Sequence, residues 1–549
     1  MNRRTDCFRK TASGPAGEYG KIFAGELRPS DTSQNCSRCG PDLPLDVNAA
    51  GNILRLGPGS LAQRAWKLRP SGRGAVTTFN LKQRRTIMPE TDIDLLTIGA
   101  GGGAYPAAFR LARAGARVVM VDPKGVMSGN CLYEGCVPSK AVRETAEIRA
   151  QQERFQQLGL PGQISVDYAA VVAHKDAIQA RRYAQHAQEL AQAPNIRLIK
   201  GVARFIDPHT VQVHGEQGDE RFRCRHVIIA SGSDVFTPPL PGKELALNSH
   251  DLYKPDPALK SLPGHLVVIG GGYIGLETAS FFAALGSEVS LLQRGNQLLS
   301  GMDPGMVELL VPLLHPRIRI WTGVEVLGIE ASEQGAKRVR YRNKGQEQKL
   351  MADVVLMAAG RRPVIPEGAA ELGIAIDHRG IAVGPDLRTA HPHIYACGDV
   401  NGRVPLFHAA VRQSLVAAHN IMGGEDPMDY ADFESVPTTI FTLPAAATIG
   451  VTPARAAAQG RTLVSGHYSF SEDSRAQILE RMDGEIRLFF EPGTLRLVGG
   501  WIVGVDAGQL VGQIGAAING GQSAYDLARF ADQHPMTAEG IVKAARNLL

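Results

Sequence analysis

The stretch LLTIGAGGGA, residues 95–104, is an apolar run that ends in a glycine-rich turn. A helical stretch and a second apolar run, ARVVMVD at residues 116–122, follow it. This order is typical of a β-turn-α-β unit. The same order returns about 170 residues later in HLVVIGGGYIGLETASFFAALGSEVSLLQR, residues 265–294. The chain therefore contains two units of one kind, and this duplication decides the fold.

The first unit carries the spacing of a dinucleotide-binding fingerprint. Gly99 and Gly101 stand where the turn is tight and the backbone approaches a pyrophosphate. Ala104 fills the third position, where only a small residue lets the helix pack against the strand. Asp122, at the end of the next strand, is placed to accept ribose hydroxyls. These residues predict a bound dinucleotide.

The second unit has the full fingerprint, with Gly270, Gly272 and Gly275 after a strand. Its next strand ends at Gln293, followed by Arg294, with no acid at this place. An acid would repel a 2′-phosphate and an arginine would attract it, which slightly favours NADPH over NADH. Arg294 as a solvated cation at a strand end is the alternative interpretation.

The remaining segments complete these units. The stretches at residues 196–215 and 222–233 are predicted to be short strands that return to the first unit. DVVLMAAGRRP, residues 353–363, closes the second sheet, and IYACGDV, residues 394–400, brings the chain back to the first. From about residue 436, strands followed by helical stretches predict a terminal α+β domain.

Composition and cysteine content indicate a soluble intracellular enzyme. Hydrophobic residues make up 44% of the 549 residues, which is ample material for several cores. No apolar run is long enough for a membrane span, and the N-terminus lacks the apolar stretch of a signal peptide. Seven scattered cysteines do not form a secreted disulfide framework. We therefore expect a cytoplasmic protein.

Two of these cysteines form a candidate redox pair. Cys131 and Cys136 stand in CLYEGCVPSK, residues 131–140, just after the second strand of the first unit. At the start of a helix this spacing lets the two sulfurs approach bonding distance. A helix N-terminus also lowers the pKa of a thiol. The alternative interpretation is that the two cysteines are buried and unrelated. The presence of two nucleotide-binding units in the same chain favours the redox pair over this alternative.

From about residue 92 onward the chain resembles the pyridine nucleotide–disulfide oxidoreductases, and within them the dihydrolipoamide dehydrogenase branch. Seven motifs in chain order carry the resemblance: GAGGGAYPAA, GNCLYEGCVPSK, ASGS, GGGYIGLE, AAGRRP, ACGDV and HPMTAE. The resemblance implies an α/β chain with two Rossmann-like domains, one for FAD and one for NAD(P), and a C-terminal α+β dimerisation domain. It implies a homodimer and no metal.

We accordingly divide the chain into five expected segments. They are an N-terminal extension (1–87), the first part of the FAD-binding domain (88–240), the NAD(P)-binding domain (241–365), the return segment of the FAD-binding domain (366–434) and the dimerisation domain (435–549).

The resemblance also implies the catalytic residues. Cys131 would be the thiol that exchanges with the substrate, and Cys136 the thiol that lies against the flavin and forms a charge-transfer thiolate. His534 would be the catalytic base, oriented by Glu539 and acting at the active site of the other subunit. Thiol–disulfide exchange needs such a group near neutral pKa, and a carboxylate partner fixes the tautomer of the imidazole.

Further residues would surround the cofactors. Lys140 and Glu277 resemble an ion pair beside the flavin, and Tyr273 resembles the ring that covers the nicotinamide pocket. Asp399 would hold the ribityl chain of the flavin. The other expected FAD or NAD(P) contacts are Ala203, Ser231, Gly232, Gly398, Val326 and Gly360.

The predicted reaction moves electrons between a dithiol, the Cys131–Cys136 disulfide, FAD and NAD(P). Two departures from the family pattern leave the substrate open. Ser128-Gly129-Asn130 stands before Cys131 in place of the usual GGT, and Asp532 stands where another histidine is common. The substrate is dihydrolipoamide on a lipoyl carrier protein or, alternatively, glutathione or another small disulfide reduced with NADPH.

The first 87 residues differ from the rest in charge. They hold 15 Lys and Arg against 6 Asp and Glu, whereas the remainder holds 44 against 48. SDTSQNCSRCG, residues 30–40, and LDVNAAGNIL, residues 45–54, resemble the C-terminal end of zinc-ribbon insertion-sequence transposases. Only Cys36 and Cys39 form a CxxC pair, so the zinc-ligand set is incomplete.

We interpret this segment as a transposon remnant that is disordered or poorly packed, with a natural start at Met88. A basic nucleic-acid-binding module is the alternative. We do not expect nucleic acid or membrane as a partner of the rest of the chain.

Overall fold

The computed structural model describes residues 90–332 and 335–549. The predictions made for residues 1–87, among them the incomplete zinc ribbon and the basic module, lie outside these residues.

The first unit is built around a buried parallel sheet. Its elements are β1 (Glu90–Ile98), α1 (Tyr105–Arg113), β2 (Val118–Asp122), α2 (Gly129–Tyr133), α3 (Cys136–Ala150), α4 (Gln152–Phe155), α5 (Tyr168–Ala191), β3 (Ile196–Asp207), β4 (Thr210–Gly215), β5 (Gly218–Ile229) and β6 (Ser233–Val235). Strand β1 pairs in parallel with β2 on one side and β5 on the other, and β3 continues the layer beyond β2. The carboxyl end of β1, at the fingerprint turn, is therefore central in the sheet.

Strands β3 and β5 are longer than the short strands expected. Each has 12 residues, because each pairs with different strands along its length. Residues Ile196–Lys200 extend the parallel layer beside β2, and the rest of β3 pairs antiparallel with β4. Strand β5 does the same with β1 and β4. A local apolar pattern does not reveal this double use.

The second unit repeats the plan. Its elements are α6 (Ser249–Tyr253), β7 (His265–Ile269), α7 (Tyr273–Leu285), β8 (Glu288–Leu292), α8 (Pro304–Leu310), β9 (Ile318–Trp321), β10 (Glu325–Ala331), β11 (Lys337–Asn343), β12 (Gln346–Ala352), β13 (Val354–Met357) and β14 (Arg361–Pro363). The parallel order is β13-β7-β8-β9, and β10 to β12 form an antiparallel sheet. Helix α7 is buried from its third residue to its end, because it packs between this sheet and its neighbours.

The chain then returns to the first sheet and ends in a separate layer. The elements are β15 (Ile394–Ala396), α9 (Phe407–Gly423), β16 (Thr438–Ile440), β17 (Ala445–Gly450), α10 (Pro453–Ala458), β18 (Val464–Ser469), α11 (Ser474–Ile478), β19 (Gly484–Phe490), β20 (Leu497–Gly504), α12 (Ala507–Asn519), α13 (Ala524–Ala528) and α14 (Glu539–Arg546). Strand β15 pairs in parallel with β5, as expected. Strands β16 to β20 form a five-stranded antiparallel sheet in the order β16-β17-β20-β19-β18.

These layers confirm the predicted fold class, with two α/β units of nucleotide-binding type and a C-terminal α+β domain. The expected boundaries at residues 240, 365 and 434 stay predictions. Within residues 90–332 and 335–549, no helix has the length and apolarity that crossing a bilayer requires.

Candidate active site

The two fingerprint turns have the same geometry. Gly99 takes a φ of 111° and Gly270 a φ of 115°. A Cβ on Gly99 would collide with the carbonyl oxygen of Ala230, and a Cβ on Gly270 would collide with that of Ala358. Glycine is therefore required at both turns, because the backbone conformation and the close approach each exclude a side chain.

The middle glycines are not tightly packed. A Cβ on Gly101 would lie 3.8 Å from its nearest neighbour, and one on Gly272 would meet no heavy atom within 4 Å. The third positions are tight, since Ala104 is fully buried and a Cβ on Gly275 would collide with the carbonyl oxygen of Gly270. Open backbone at a helix start is the shape that a pyrophosphate needs, so these residues fit two dinucleotides.

The two strand ends also correspond. Asp122 ends β2 and is buried, and its carboxylate accepts hydrogen bonds from the amides of Lys124 at 2.8 Å and Ala100 at 3.4 Å. Gln293 follows β8, and its Oε1 accepts from the amide of Gly271 at 2.9 Å. Both side chains thus contact the second residue of their own fingerprint turn. The first site presents an anionic acceptor, whereas the second presents a neutral amide with exposed Arg294 beside it.

The cysteine pair lies where two short elements meet. Cys131 lies within α2 and Cys136 is the first residue of α3, and both are free thiols. The two side chains are close enough for each to shift the ionisation of the other. Interaction with the Cys131 side chain, helped by the charge of Lys140, holds the pKa of Cys136 below its ordinary value. The same interaction, together with burial, raises the pKa of Cys131. The exposed Cys136 is thus the better thiolate of the pair.

An ion pair stands one turn along the helix from Cys136. Lys140 Nζ lies 2.7 Å from Glu277 Oε2, and Glu277 Oε1 accepts from the amide of Phe441 at 2.9 Å. The ammonium of Lys140 also lies 4.4 Å from the centre of the Phe441 ring. Tyr273, at the start of the helix that carries Glu277, is 37% exposed. Phe441 was not predicted as a site residue, because it is 164 residues from Glu277 and belongs to no motif.

A second network surrounds Asp399. Its Oδ2 accepts from Ser233 Oγ at 2.6 Å, and Ser233 Oγ also accepts from Arg361 Nε at 2.8 Å. The Ser233 carbonyl oxygen accepts from Asn130 Nδ2 at 2.9 Å. These hydrogen bonds connect Asn130, the residue before Cys131, to the motifs ASGS, AAGRRP and ACGDV. The network gives Asn130 a positional role that the sequence did not reveal.

The remaining predicted cofactor residues are spread along both units. Gly232 and Gly360 take positive φ, and a Cβ on either would meet no heavy atom within 4 Å. Ser231 Oγ donates to the carbonyl of Val364. The amide of Gly398 donates to Gln413 Oε1 at 2.8 Å. Ala203 is buried within β3, and Val326 lies at a bulge in β10.

His534 and Glu539 form a pair at the C-terminal end. His534 Nδ1 lies 3.0 Å from Glu539 Oε1, and the histidine side chain is 67% exposed. Burial raises the pKa of Glu539, but the Met536 amide, the His534 ring and Lys543 outweigh it and leave that pKa below its ordinary value. The carboxylate is therefore ionised and holds the proton on Nδ1, so Nε2 of the ring is free to act as a base.

Comparisons with known proteins agree with this geometry. The family model for pyridine nucleotide-disulphide oxidoreductases matches residues 93–414, and the model for the dimerisation domain of that family matches residues 436–545. Dihydrolipoyl dehydrogenase of Bacillus subtilis is 32% identical over 460 residues, 83% of this chain and 96% of that protein. Dihydrolipoyl dehydrogenase of Staphylococcus aureus is 31% identical over 463 residues, 83% of this chain and 97% of that protein.

Among solved structures, the HOCl-induced flavoprotein disulfide reductase RclA from Escherichia coli superposes with a TM-score of 0.72 at 25% sequence identity. The match covers 83% of this chain and 99% of RclA. FAD and NAD(P) are the cofactors of these enzymes, and the open turns at Gly101 and Gly272 fit them. The chain belongs to the pyridine nucleotide-disulphide oxidoreductase family and is an FAD-dependent disulfide oxidoreductase.

Proposed function

We propose that the chain is a dihydrolipoamide dehydrogenase that works as a homodimer on dihydrolipoamide carried by a lipoyl protein. The observation that carries the proposal is the placement of Cys131 in α2 next to Cys136 at the start of α3, with the pKa of Cys136 lowered. Relatives named dihydrolipoyl dehydrogenase, matched over 83% of the chain, support the choice of substrate.

The exchange step uses both cysteines. A substrate thiolate attacks Cys131 Sγ of the oxidised pair, so a substrate–Cys131 bond forms while the Cys131–Cys136 bond breaks. Cys136 leaves as a thiolate, and its lowered pKa makes it a good leaving group. The second substrate thiol then attacks the substrate sulfur of the mixed disulfide. This releases the cyclic disulfide product and leaves Cys131 reduced, so the electron pair of the substrate now resides on the cysteine pair.

His534 is the proposed base for this step. It takes the proton of the incoming thiol on Nε2, while Glu539 stabilises the imidazolium that forms. The exposure of its side chain suits a residue that acts across a homodimer interface. The dimerisation domain that contains it supports this arrangement.

The cofactors would be held by residues of the two units. Gly101, Asp122 and Asp399 would bind FAD, and Gly272 and Tyr273 would bind NAD(P). When bound, FAD supplies two-electron redox chemistry and NAD(P) supplies the hydride partner. The charge of Lys140, which Glu277 holds in place, favours the thiolate of Cys136, and it outweighs the opposing charge of Glu277.

A second candidate is an NADPH-dependent reductase of glutathione or another small disulfide. The neutral amide of Gln293 and the exposed Arg294 beside it favour this alternative, because they suit a 2′-phosphate. The similarity to a flavoprotein disulfide reductase also favours it.

Steady-state kinetics decide between the two. We expect kcat/KM for dihydrolipoamide with NAD+ to exceed kcat/KM for glutathione disulfide with NADPH by at least about a hundredfold, the size of a specific substrate preference. The reverse ratio would establish the disulfide reductase.

A reducing cytoplasm is the proposed location, since the buried Cys224 and Cys397 are free thiols.

A nucleic-acid-binding role for residues 1–87 stays an alternative of another class. A salt-dependent shift of DNA that is lost on deleting those residues would support it.

A further inference from the structure

Helix α5 buries polar side chains beside the redox pair. Lys175, Gln179 and His186 are at most 4% exposed, and they are its buried polar residues. Buried polar groups need hydrogen-bond partners, so the partners show what the helix holds. Gln179 Nε2 donates to the carbonyl oxygens of Leu132 at 3.0 Å and Tyr133 at 2.8 Å. These carbonyls belong to the segment between the two cysteines.

His186 contacts the turn that precedes Cys131. Its Nε2 lies 3.0 Å from Ser128 Oγ, three residues before Cys131. Its Nδ1 lies 2.9 Å from Glu189 Oε2. A carboxylate accepts hydrogen bonds and does not donate them, so Nδ1 carries a proton. In the neutral ring Nε2 then accepts from the hydroxyl of Ser128.

Ser128 has a backbone conformation that residues with a side chain rarely adopt. Its φ is 71° and its ψ is −2°, in the left-handed region, and it is 7% exposed. Its amide donates to the Ala100 carbonyl at 3.0 Å, which ties the turn to the first fingerprint. The next residue, Gly129, also has a positive φ, and a Cβ there would lie 3.0 Å from Gly101 Cα. The turn therefore has little room to relax.

The electrostatic surroundings connect this cluster to Cys131. The Tyr105 ring lies 6.1 Å from the His186 ring. Burial raises the pKa of Tyr105, and the charges of Glu189 and Cys131 raise it further. The phenol thus lies within electrostatic range of both groups.

We propose that His186 is a positioning residue for the redox pair, which holds Ser128 in its left-handed turn and thereby fixes where the Cys131 sulfur stands relative to Cys136. The inference rests on the proposed function of the two cysteines. A serine, a histidine and a carboxylate in this order also form hydrolytic triads. Here Ser128 and His186 are 7% and 4% exposed, so a substrate cannot reach the hydroxyl.

The test compares Ser128→Ala with Ser128→Gly in the FAD-loaded, full-length protein. Alanine removes the hydrogen bond and keeps the strain, whereas glycine removes the hydrogen bond and the strain together. The measurement is the rate at which dihydrolipoamide reduces the cysteine pair in a single turnover. We expect Ser128→Ala to slow it by about 10-fold to 100-fold, since small misplacements of reacting atoms cost this much. We expect Ser128→Gly to stay within about threefold of the wild type.

A second pair of variants isolates the histidine. His186→Phe should slow the same step by about tenfold in the wild type and have no further effect in the Ser128→Gly background, because coupled residues are not additive. These two variants still test the proposal if the Ser128→Ala protein does not fold. The matched control is Ser290→Ala, which breaks another serine–histidine pair, Ser290 Oγ to the half-buried His265 Nε2 at 2.9 Å, in the second unit.

A Ser128→Ala rate equal to that of the wild type would overturn the proposal, and so would a Ser128→Gly rate as low as that of Ser128→Ala. A slowing of the same size in Ser290→Ala would also overturn it, because the loss would then be general. Failure of the proposed function would show instead in the wild type, whose cysteine pair would take up no electrons from dihydrolipoamide.

Discussion

Lys140 Nζ lies 2.7 Å from Glu277 Oε2, and this contact joins the helix that begins at Cys136 to the helix that follows the second fingerprint turn. This ion pair thus connects the two nucleotide-binding units beside the redox cysteines. The Phe441 amide holds the other carboxylate oxygen, so Lys140 keeps a fixed position. The charge of Lys140 is one cause of the lowered pKa of Cys136, after the interaction with the Cys131 side chain.

Replacing Lys140 by methionine should raise the pKa of Cys136. Less thiolate would then be present at neutral pH, and the pH profile for alkylation of Cys136 by iodoacetamide in the reduced protein would move to higher pH. Arg143→Met is the matched control, since Arg143 lies on the same helix and also contacts Phe441, through its carbonyl at 3.0 Å. An unmoved profile in Lys140→Met would contradict the role given to the ion pair.

His534→Gln should slow oxidation of dihydrolipoamide by roughly 10²–10⁴-fold, the usual loss when a general base is removed. Glu539→Gln should cause a smaller loss in the same direction, because an amide still accepts from Nδ1 but does not stabilise the imidazolium. The reaction of NAD(P)H with an artificial electron acceptor should be unchanged in both. Asp532→Asn, two residues away, is the control for the segment. Near-normal dithiol turnover in His534→Gln would remove this residue from the mechanism.

Gln293→Glu should shift nucleotide preference toward NAD+. A carboxylate repels a 2′-phosphate and accepts ribose hydroxyls, so we expect the ratio of kcat/KM for NAD+ to that for NADP+ to rise by about tenfold. Arg294→Ala should move the ratio the same way by weakening NADP+. Gln297→Ala leaves intact the backbone carbonyl that Gln293 contacts and is the control. If neither variant moves the ratio, other residues select the nucleotide.

A histidine stack should make the fold acid-sensitive. The rings of His209 and His393 lie 4.0 Å apart and nearly parallel, and His393 Nε2 donates to the Pro208 carbonyl. Burial, together with His209 and His391, holds the pKa of His393 below its ordinary 6.5. The unfolded chain therefore binds this proton more tightly than the folded one. The stability that the neutral ring contributes is complete above pH 6.5 and is lost as the pH falls through the lowered value.

The variant His393→Phe keeps an aromatic ring stacked on His209 and removes the group that titrates. We expect the melting temperature of the wild type to fall between about pH 7.5 and about pH 5.5, and the fall to be smaller in His393→Phe. Its absolute stability should be lower at neutral pH, because the Pro208 carbonyl loses a donor. An equal fall in both proteins would assign the acid sensitivity to other groups.

The sequence predicts the parts of the site that depend on local geometry. Gly99 and Gly270 are readable because a tight turn before a helix requires glycine, and Cys136 because it stands near a helix start. The pairing of Lys140 with Glu277 is different, since only the family resemblance connects two residues 137 positions apart. Collinear motifs therefore carried information that spacing alone does not contain.

The residues that hold the site in place were not predictable. His186 stands in a helical stretch of mixed polarity, and nothing local shows that its ring is buried or meets Ser128. The contacts of Asn130 with Ser233 and of Glu277 with Phe441 also depend on how distant segments pack. Hydrogen bonds between distant segments arise only when the tertiary structure forms, so periodicity does not report them.

An anaerobic reductive titration of the FAD-loaded protein with dithionite tests the central claim most directly. If Cys131 and Cys136 form a redox pair with the flavin, the wild type takes up one electron pair for the flavin and a second for the disulfide, and Cys136→Ser takes up only one. A wild type that takes up the flavin pair alone, as the variant does, would contradict the account.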